Sequence, residues 1–317
     1  MIDGITLTNK GLTLMQIELI STNNNLQTNT ASGKPYYDNR LTKNLTDGVF
    51  IQIATDGKLK IECSLHKWNN RRLTGKGTND NHFTMKQAKE AAEMLIAEKG
   101  IPIQGLNVYR FEIGLNLYMK NDCREYLDLM RCIEIAGLEK ELLINQKFKD
   151  KRERTTEFHK DKRKYYKVYD KGHEMKDKKQ GEPMHPNILR IETVYRRIEK
   201  TTFERFITPD HLTKIVNAFF DEWQCIKFDR AIQAPKGTGE KKKQLCKAIL
   251  RHGNKTILLD AKNRHKKGTL TDMEYRGIRE FISNDWQTFK TCIHSIQSER
   301  EKEFREQFNQ HKKNATN

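Results

Sequence analysis

The chain has 317 residues, long enough for two domains and a substantial core. Its 59 Lys and Arg against 42 Asp and Glu leave a formal charge of +17, spread along the whole length, which favours a nucleic-acid partner through its phosphates. No apolar run approaches the roughly 20 residues needed to span a bilayer, and no secretory pattern opens the chain, so a cytoplasmic protein without membrane contact is expected.

Alternating apolar positions at Ile5, Leu7, Leu12, Leu14, Ile17 and Leu19 predict a strand within residues 1–20. An Asn/Thr-rich loop follows from Ser21 to Gly33. Val49–Ala54, the Asp56–Gly57 turn and Leu59–Leu65 predict a β-hairpin. The segment from Lys67 to His82 is basic and rich in Gly and Asn. Within it Lys67, Trp68, Arg71, Arg72 and Lys76 mix cations with an aromatic ring, as a DNA-contacting loop would, although an exposed basic loop that touches only solvent has the same composition.

Thr84 caps a predicted helix over about 85–99, with Ala88, Ala91, Ala92, Leu95 and Ile96 on one face and Gly100 after its end. Val108–Leu117 is a strand with Tyr109, Phe111, Ile113 and Leu115 on one side and Arg110, Glu112, Gly114 and Asn116 on the other. Residues 122–137 predict a second helix and Leu189–Tyr195 a further strand. This order implies an α+β fold, an antiparallel sheet with helices on one face. After Lys200 the pattern turns helical, at 209–230 and 269–309, around a Pro/Gly/Lys linker from Gln233 to Lys243. The expected domains are therefore 1–200 and a mainly helical 201–317 whose last dozen residues fray. Six scattered cysteines without zinc spacing read as unpaired thiols, mostly filling cores.

Two carboxylates stand on the polar faces of otherwise apolar strands, Glu112 and Glu192, each two residues after an arginine, Arg110 and Arg190. On neighbouring strands these four would form one surface suited to a hard divalent ion, Mg²⁺ or Mn²⁺, beside a phosphate. Solvent-facing cross-strand ion pairs would have the same pattern. Between the two strands in sequence lies Lys164–Asp170, where Tyr165, Lys167 and Tyr169 share one side of a strand and Tyr166, Val168 and Asp170 the other. A tyrosine phenol is a competent nucleophile toward a phosphodiester when cations neutralise the phosphate. Spacing alone leaves Tyr165 and Tyr169 as equals. Lys147–Lys164 is a charged run, Gly237–Lys247 and Arg264–Lys267 are basic patches, and His66, His82, His159 and His173 make no metal pattern, though His173 is a possible neighbour of the site.

The blocks Met1-Ile2-Asp3, Ser64-Leu65-His66-Lys67 with Gly75 to His82, Tyr109–Ile113, Val168–Met175 and Leu189–Glu192 occur in an order that resembles the gene II/X replication initiators of filamentous phages. These are distant relatives of the HUH endonucleases and the Rep_trans plasmid initiators. The resemblance covers roughly residues 1–200. It implies a rolling-circle initiator that nicks and rejoins single-stranded or extruded origin DNA through a 5′-phosphotyrosine, working with a host helicase and polymerase. It further implies Tyr169 as nucleophile, Glu112 and Glu192 as metal ligands, and Lys171 and Glu174 as helpers nearby; in such a mechanism Arg110, Arg190 and Lys171 would offset charge in the transition state. A His-hydrophobic-His metal motif is missing. Competing expectations are a non-catalytic origin- or RNA-binding protein, and a relaxase or transposase with the same chemistry.

Overall fold

The computed structural model describes residues 1–317 apart from 31–34, 41–46, 146–149, 151, 157–162, 199–200, 230, 234, 292–293, 297 and 317. In chain order the elements are β1 (Ile2–Asn9), α1 (Leu14–Asn23), β2 (Gln27–Asn29), β3 (Tyr36–Asp38), β4 (Phe50–Ala54), β5 (Leu59–Ser64), α2 (Leu65–Thr74), α3 (Met85–Glu98), β6 (Asn107–Tyr118), α4 (Cys123–Leu127), β7 (Met130–Ile135), β8 (Leu138–Glu141), β9 (Leu143–Ile144), β10 (Glu153–Thr155), β11 (Lys164–Asp170), α5 (Lys171–Asp177) and β12 (Ile188–Arg196). They continue as α6 (Phe203–Phe206), α7 (Pro209–Gln224), β13 (Ile226–Phe228), β14 (Ala231–Gln233), α8 (Glu240–His252), α9 (Asn254–Lys266), α10 (Asp272–Glu280), a π-helical turn at Phe281–Asp285, α11 (Trp286–Thr291), β15 (His294–Ile296) and α12 (Glu299–Thr316).

The fold is α+β, with a helical C-terminal region. Ten strands form one sheet in the order β2-β3-β4-β5-β1-β6-β12-β11-β10-β9, and its named pairs are antiparallel. Alternation explains the centre: β6 buries Phe111, Ile113, Leu115 and Leu117, and β12 buries Leu189 and Ile191. On the apolar face, Phe206 of α6 meets Phe111 edge-on at 5.0 Å. There also Trp223 of α7 donates to the Thr193 hydroxyl at 3.0 Å and lies edge-on to Tyr166 at 5.9 Å. The opposite face of β6, β12 and β11 therefore carries the polar residues.

Three expected elements differ. The strand expected within 1–20 ends at Asn9, and a helix starts at Leu14. Thr13 and Gln16 form a reciprocal capping box there, which fixes helical φ/ψ where apolar spacing alone is ambiguous. The helix expected over 122–137 stops at Leu127, because the Ala136-Gly137 turn, with φ of 51° and 75°, folds β7 and β8 into a hairpin. The C-terminal stretch expected to fray is helical: α12 runs to Thr316 with Phe308 fully buried, and just before that stretch Phe304 is buried and Glu303 accepts from the Tyr126 hydroxyl at 2.6 Å.

The compact units divide elsewhere than at residue 200: one comprises 1–228 and 303–317, the other 229–302. Pairing of β13 with β7 and the six buried apolar residues of α7 hold the stretch after residue 200 to the first unit. The second unit has its own core of Cys246, Ile249, Phe281, Ile282 and Trp286. Cys63, Cys123, Cys132 and Cys246 are buried thiols and Cys225 is exposed. Cys292 and His159 lie outside the described residues, as do 147–149, 151 and 157–162 of the charged run. No helix among the described residues is long and apolar enough to cross a membrane.

Candidate active site

Sheet register brings the polar residues together. Tyr169 lies opposite Arg190 and Lys167 opposite Glu192 between β11 and β12, while Arg190 lies opposite Asn116 and Glu192 opposite Gly114 between β12 and β6. Directly opposed residues point to the same side of a sheet, so Tyr169, Lys167, Glu192, Arg190, Asn116 and Glu112 share one face. Two glycines make room for the carboxylates. A Cβ on Gly114 would stand 2.9 Å from Glu192 Cγ, and one on Gly4 would stand 2.9 Å from Glu112 Oε2.

The Tyr169 hydroxyl donates to Glu192 Oε1 at 3.0 Å, and Arg190 Nε donates to the same oxygen at 2.5 Å. The Lys167 ammonium lies 2.6 Å from Glu192 Oε2 and 3.7 Å from Glu112 Oε1, bridging the two carboxylates, and Arg110 pairs with Glu112. Arg190 also reaches Asp3 Oδ2 at 2.7 Å and Asn116 Oδ1 at 2.8 Å, while Asn79 donates to Asp3 at 2.6 Å. Three carboxylates thus meet three cations in one network, buried at Asp3, Arg190 and Glu192 and half-buried at Lys167, Glu112 and Arg110. Burial opposes ionisation of Glu192, but Lys167 and Arg190 outweigh it and hold its carboxyl well below the usual range. Burial likewise opposes ionisation of Asp3, and Arg190 and His66 bring it down to about 2. Burial lowers the Lys167 ammonium, yet Glu112 and Glu192 more than reverse that and raise it. The Tyr169 phenol is raised by burial and by Glu192, with Arg190 opposing.

Tyr165, equal to Tyr169 on spacing, meets cations instead of a carboxylate: its hydroxyl accepts from Arg196 at 3.0 Å and also bonds Arg110. Tyr166 is on the other face, bound to Glu222 at 3.1 Å. Lys171 is buried and paired with Glu174 at 2.5 Å; burial lowers its ammonium against the pull of Glu174. His173 faces Asp150 at 3.4 Å and Asp177 at 3.8 Å rather than joining the network. Asp3 and Asn79 belong to the cluster, and sequence reading did not assign them.

A divalent ion does not fit this donor set. Both Glu192 oxygens already contact cations, Glu112 is held by Arg110 and Lys167, and among the described residues no three His, Cys, Asp or Glu side chains gather into a metal-binding group.

The expected DNA-contacting loop is instead largely the helix α2, capped by Ser64 and ended by Gly75 at φ 74°. Trp68 is only 2 % exposed and belongs to the core, so its face is not open to a base. The Arg72 guanidinium lies over the Trp68 ring at 5.1 Å and pairs with Glu98 at 2.9 Å. Arg71 donates to the Asp47 carbonyl, and Lys67 to Gln180 at 3.1 Å. Lys76 is exposed after the helix end. In the second unit, Lys242 of the 237–247 basic patch covers Phe281 and Phe289 at 4.7 and 4.6 Å.

No family model and no curated protein matches the chain. A solved structure of a rolling circle replication initiator protein from Geobacillus stearothermophilus is similar to it at 15% identity, over 77% of this chain and 90% of that chain, with a TM-score of 0.38.

Proposed function

We propose that this chain is a tyrosine-dependent DNA strand transferase that nicks and rejoins single-stranded or extruded DNA to start rolling-circle replication. The observation that carries the reading is the Tyr169 hydroxyl donating at 3.0 Å to Glu192, a buried carboxylate kept ionised by Lys167 and Arg190. A phenol raised by burial is a poor nucleophile by itself. A carboxylate held this low is also a weak base, so what the contact supplies is an ionised acceptor already aligned for the proton as the oxygen bonds to phosphorus. The ordered blocks that resemble the gene II/X initiators select the same tyrosine.

In the reaction, the Tyr169 oxygen bonds to phosphorus as its proton passes to Glu192, and the bond from phosphorus to the 3′ oxygen breaks. The products are a 5′-phosphotyrosine and a 3′-hydroxyl that primes synthesis, for which a host helicase and polymerase are the fitting partners. Arg190, Arg110 and Lys171 contribute positive potential at the phosphate in the transition state while keeping their carboxylate partners. Lys167 supplies the proton to the leaving 3′ oxygen. Its ammonium is held protonated by Glu112 and Glu192, so neutralising Glu192 weakens that hold at the moment a proton is needed. The proton on Glu192 then restores Lys167. Attack by the 3′-hydroxyl on the phosphotyrosine reverses each transfer and closes the strand.

Incubation with single-stranded DNA of the cognate origin, followed by denaturing electrophoresis, tests the reading. Wild type is expected to give a covalent protein–DNA adduct and Tyr169→Phe none, whereas Tyr165→Phe retains it. An adduct undiminished in Tyr169→Phe would remove the assignment.

A further inference from the structure

Beside Arg190 lies a cavity of about 580 Å³, a volume within the usual range of small-molecule sites (roughly 300–1,000 Å³). One wall is the sheet, at Leu115, Asn116 and Arg190, and another is α12. The α12 residues that line it are Gln307, Gln310, His311 and Asn314, at i, i+3, i+4 and i+7, so a single face of that helix is turned to the cavity. His82 lies between two rings that also line the cavity, 5.3 Å from Tyr118 at 88° and 5.1 Å from His311 at 47°.

Apart from Arg190 and Lys86, this lining carries no Lys, Arg, Asp or Glu. Burial and the neighbouring His82 push the His311 imidazole down to about 4, so it carries no charge near neutral pH. Among the described residues no hydrogen bond engages the side chains of Gln307, Gln310 or Asn314. Each of these amides offers both donors and an acceptor, the complement of a base edge, while aromatic and imidazole faces offer stacking. Phosphate would find little here. The Arg190 guanidinium is already engaged by Asp3, Glu192 and Asn116, and Lys86 is the other cation on the lining.

We propose that this cavity seats one unstacked base of single-stranded DNA, next to the nucleotide whose phosphate is attacked. The inference rests on the strand-transfer reading for its purpose: Arg190 joins the cavity to Glu192 at 2.5 Å, and Glu192 joins it to Tyr169 at 3.0 Å. The helix α12 thereby selects sequence at a site whose chemistry belongs to the sheet.

Full-length protein carrying Tyr169→Phe, which binds without cutting, is titrated with fluorescein-labelled oligo-dT, oligo-dA and oligo-dC at several salt concentrations. A preference among the three is expected. Replacing the exposed Gln310 and Asn314 together by alanine should weaken the preferred oligomer about tenfold and flatten the preference, since one seated base is worth roughly 1–3 kcal/mol. The slope of log K against log salt should not change, because no cation has been removed. His311→Gln, which keeps a hydrogen-bonding group but loses the ring, should show a smaller loss in the same direction. Unchanged affinities, or a loss accompanied by a shallower salt slope, would overturn the base seat. Preference without a covalent adduct in the Tyr169 experiment would sink the strand-transfer reading alone; an adduct without preference would sink the base seat alone.

Discussion

β11 and α2 carry the same kinds of side chain, aromatic rings interleaved with cations, and end in opposite situations. On β11, strand pairing sets Lys167 against Glu192 and Tyr169 against Arg190, so the cations are spent on holding a buried carboxylate ionised beside a hydroxyl. On α2 the aromatic residue, Trp68, is absorbed into the core, and Arg71 and Arg72 are spent on a backbone carbonyl, on Glu98 and on that same ring. Composition does not separate the two segments. What separates them is whether neighbouring elements place a reactive group among the charges.

The strongest way to break this contrast is to neutralise the carboxylate on one side only. Glu192→Gln removes the proton acceptor and leaves Lys167 and Arg190 facing a neutral amide in a dry setting. Adduct formation should fall by about 10²- to 10⁴-fold, the usual range for losing a general base. Stability should drop by about 3–5 kcal/mol in urea unfolding, as expected when a buried pair loses one partner, here with Arg190 left to Asp3 and Lys167 to Glu112. Glu222→Gln is the control, because Glu222 binds the Tyr166 hydroxyl on the other face and should leave the rate within about twofold. Equal losses in the two variants would mean that Glu192 acts only through the fold.

On the α2 side the expected effect is on stability instead. Trp68→Ala should cost about 3–5 kcal/mol of unfolding free energy, the range for emptying a large aromatic site. Affinity of the folded protein for single-stranded DNA should hold within about twofold, because a stacking partner for bases contributes only if its face is open. A loss of about tenfold in DNA affinity at unchanged stability would restore α2 as a nucleic-acid surface.

Sequence reading succeeded where a period of two was unbroken. β6 and β12 alternate so regularly that sequence alone puts Arg110, Glu112, Arg190 and Glu192 on one kind of face, and the pairing of Glu192 with Gly114 places them on the same one. It failed where a local device outweighed periodicity. The Thr13–Gln16 capping box made a helix from a pattern that also alternates, and the Ala136-Gly137 turn made a hairpin where a helix was expected. Asp3 was out of reach for a different reason. Its partner Arg190 is 187 positions away, and no local spacing reports a contact of that range. Gln307, Gln310, His311 and Asn314 were hidden because a polar helix face reads as solvated until a cavity is seen beside it.

The smallest expected effect is that of a chelator, and it bears on the charge balance of β11 and β12. For a divalent ion to bind Glu192, the Lys167 ammonium 2.6 Å from Oε2 or the Arg190 guanidinium 2.5 Å from Oε1 would have to leave, stranding a cation in a buried site. With both in place, the positive charge that an ion would bring to the phosphate is already supplied by side chains. Adduct yield in EDTA should therefore stay within about twofold of that in Mn²⁺. Lys167→Met removes one of these cations and opens Glu192 Oε2. In that variant the metal-free yield should collapse, and added Mn²⁺ should recover part of it. A wild-type adduct that disappears in EDTA and returns with saturable Mn²⁺ dependence would show instead that Lys167 yields its place when DNA binds, and that the cations seen on Glu192 hold the position of the ion.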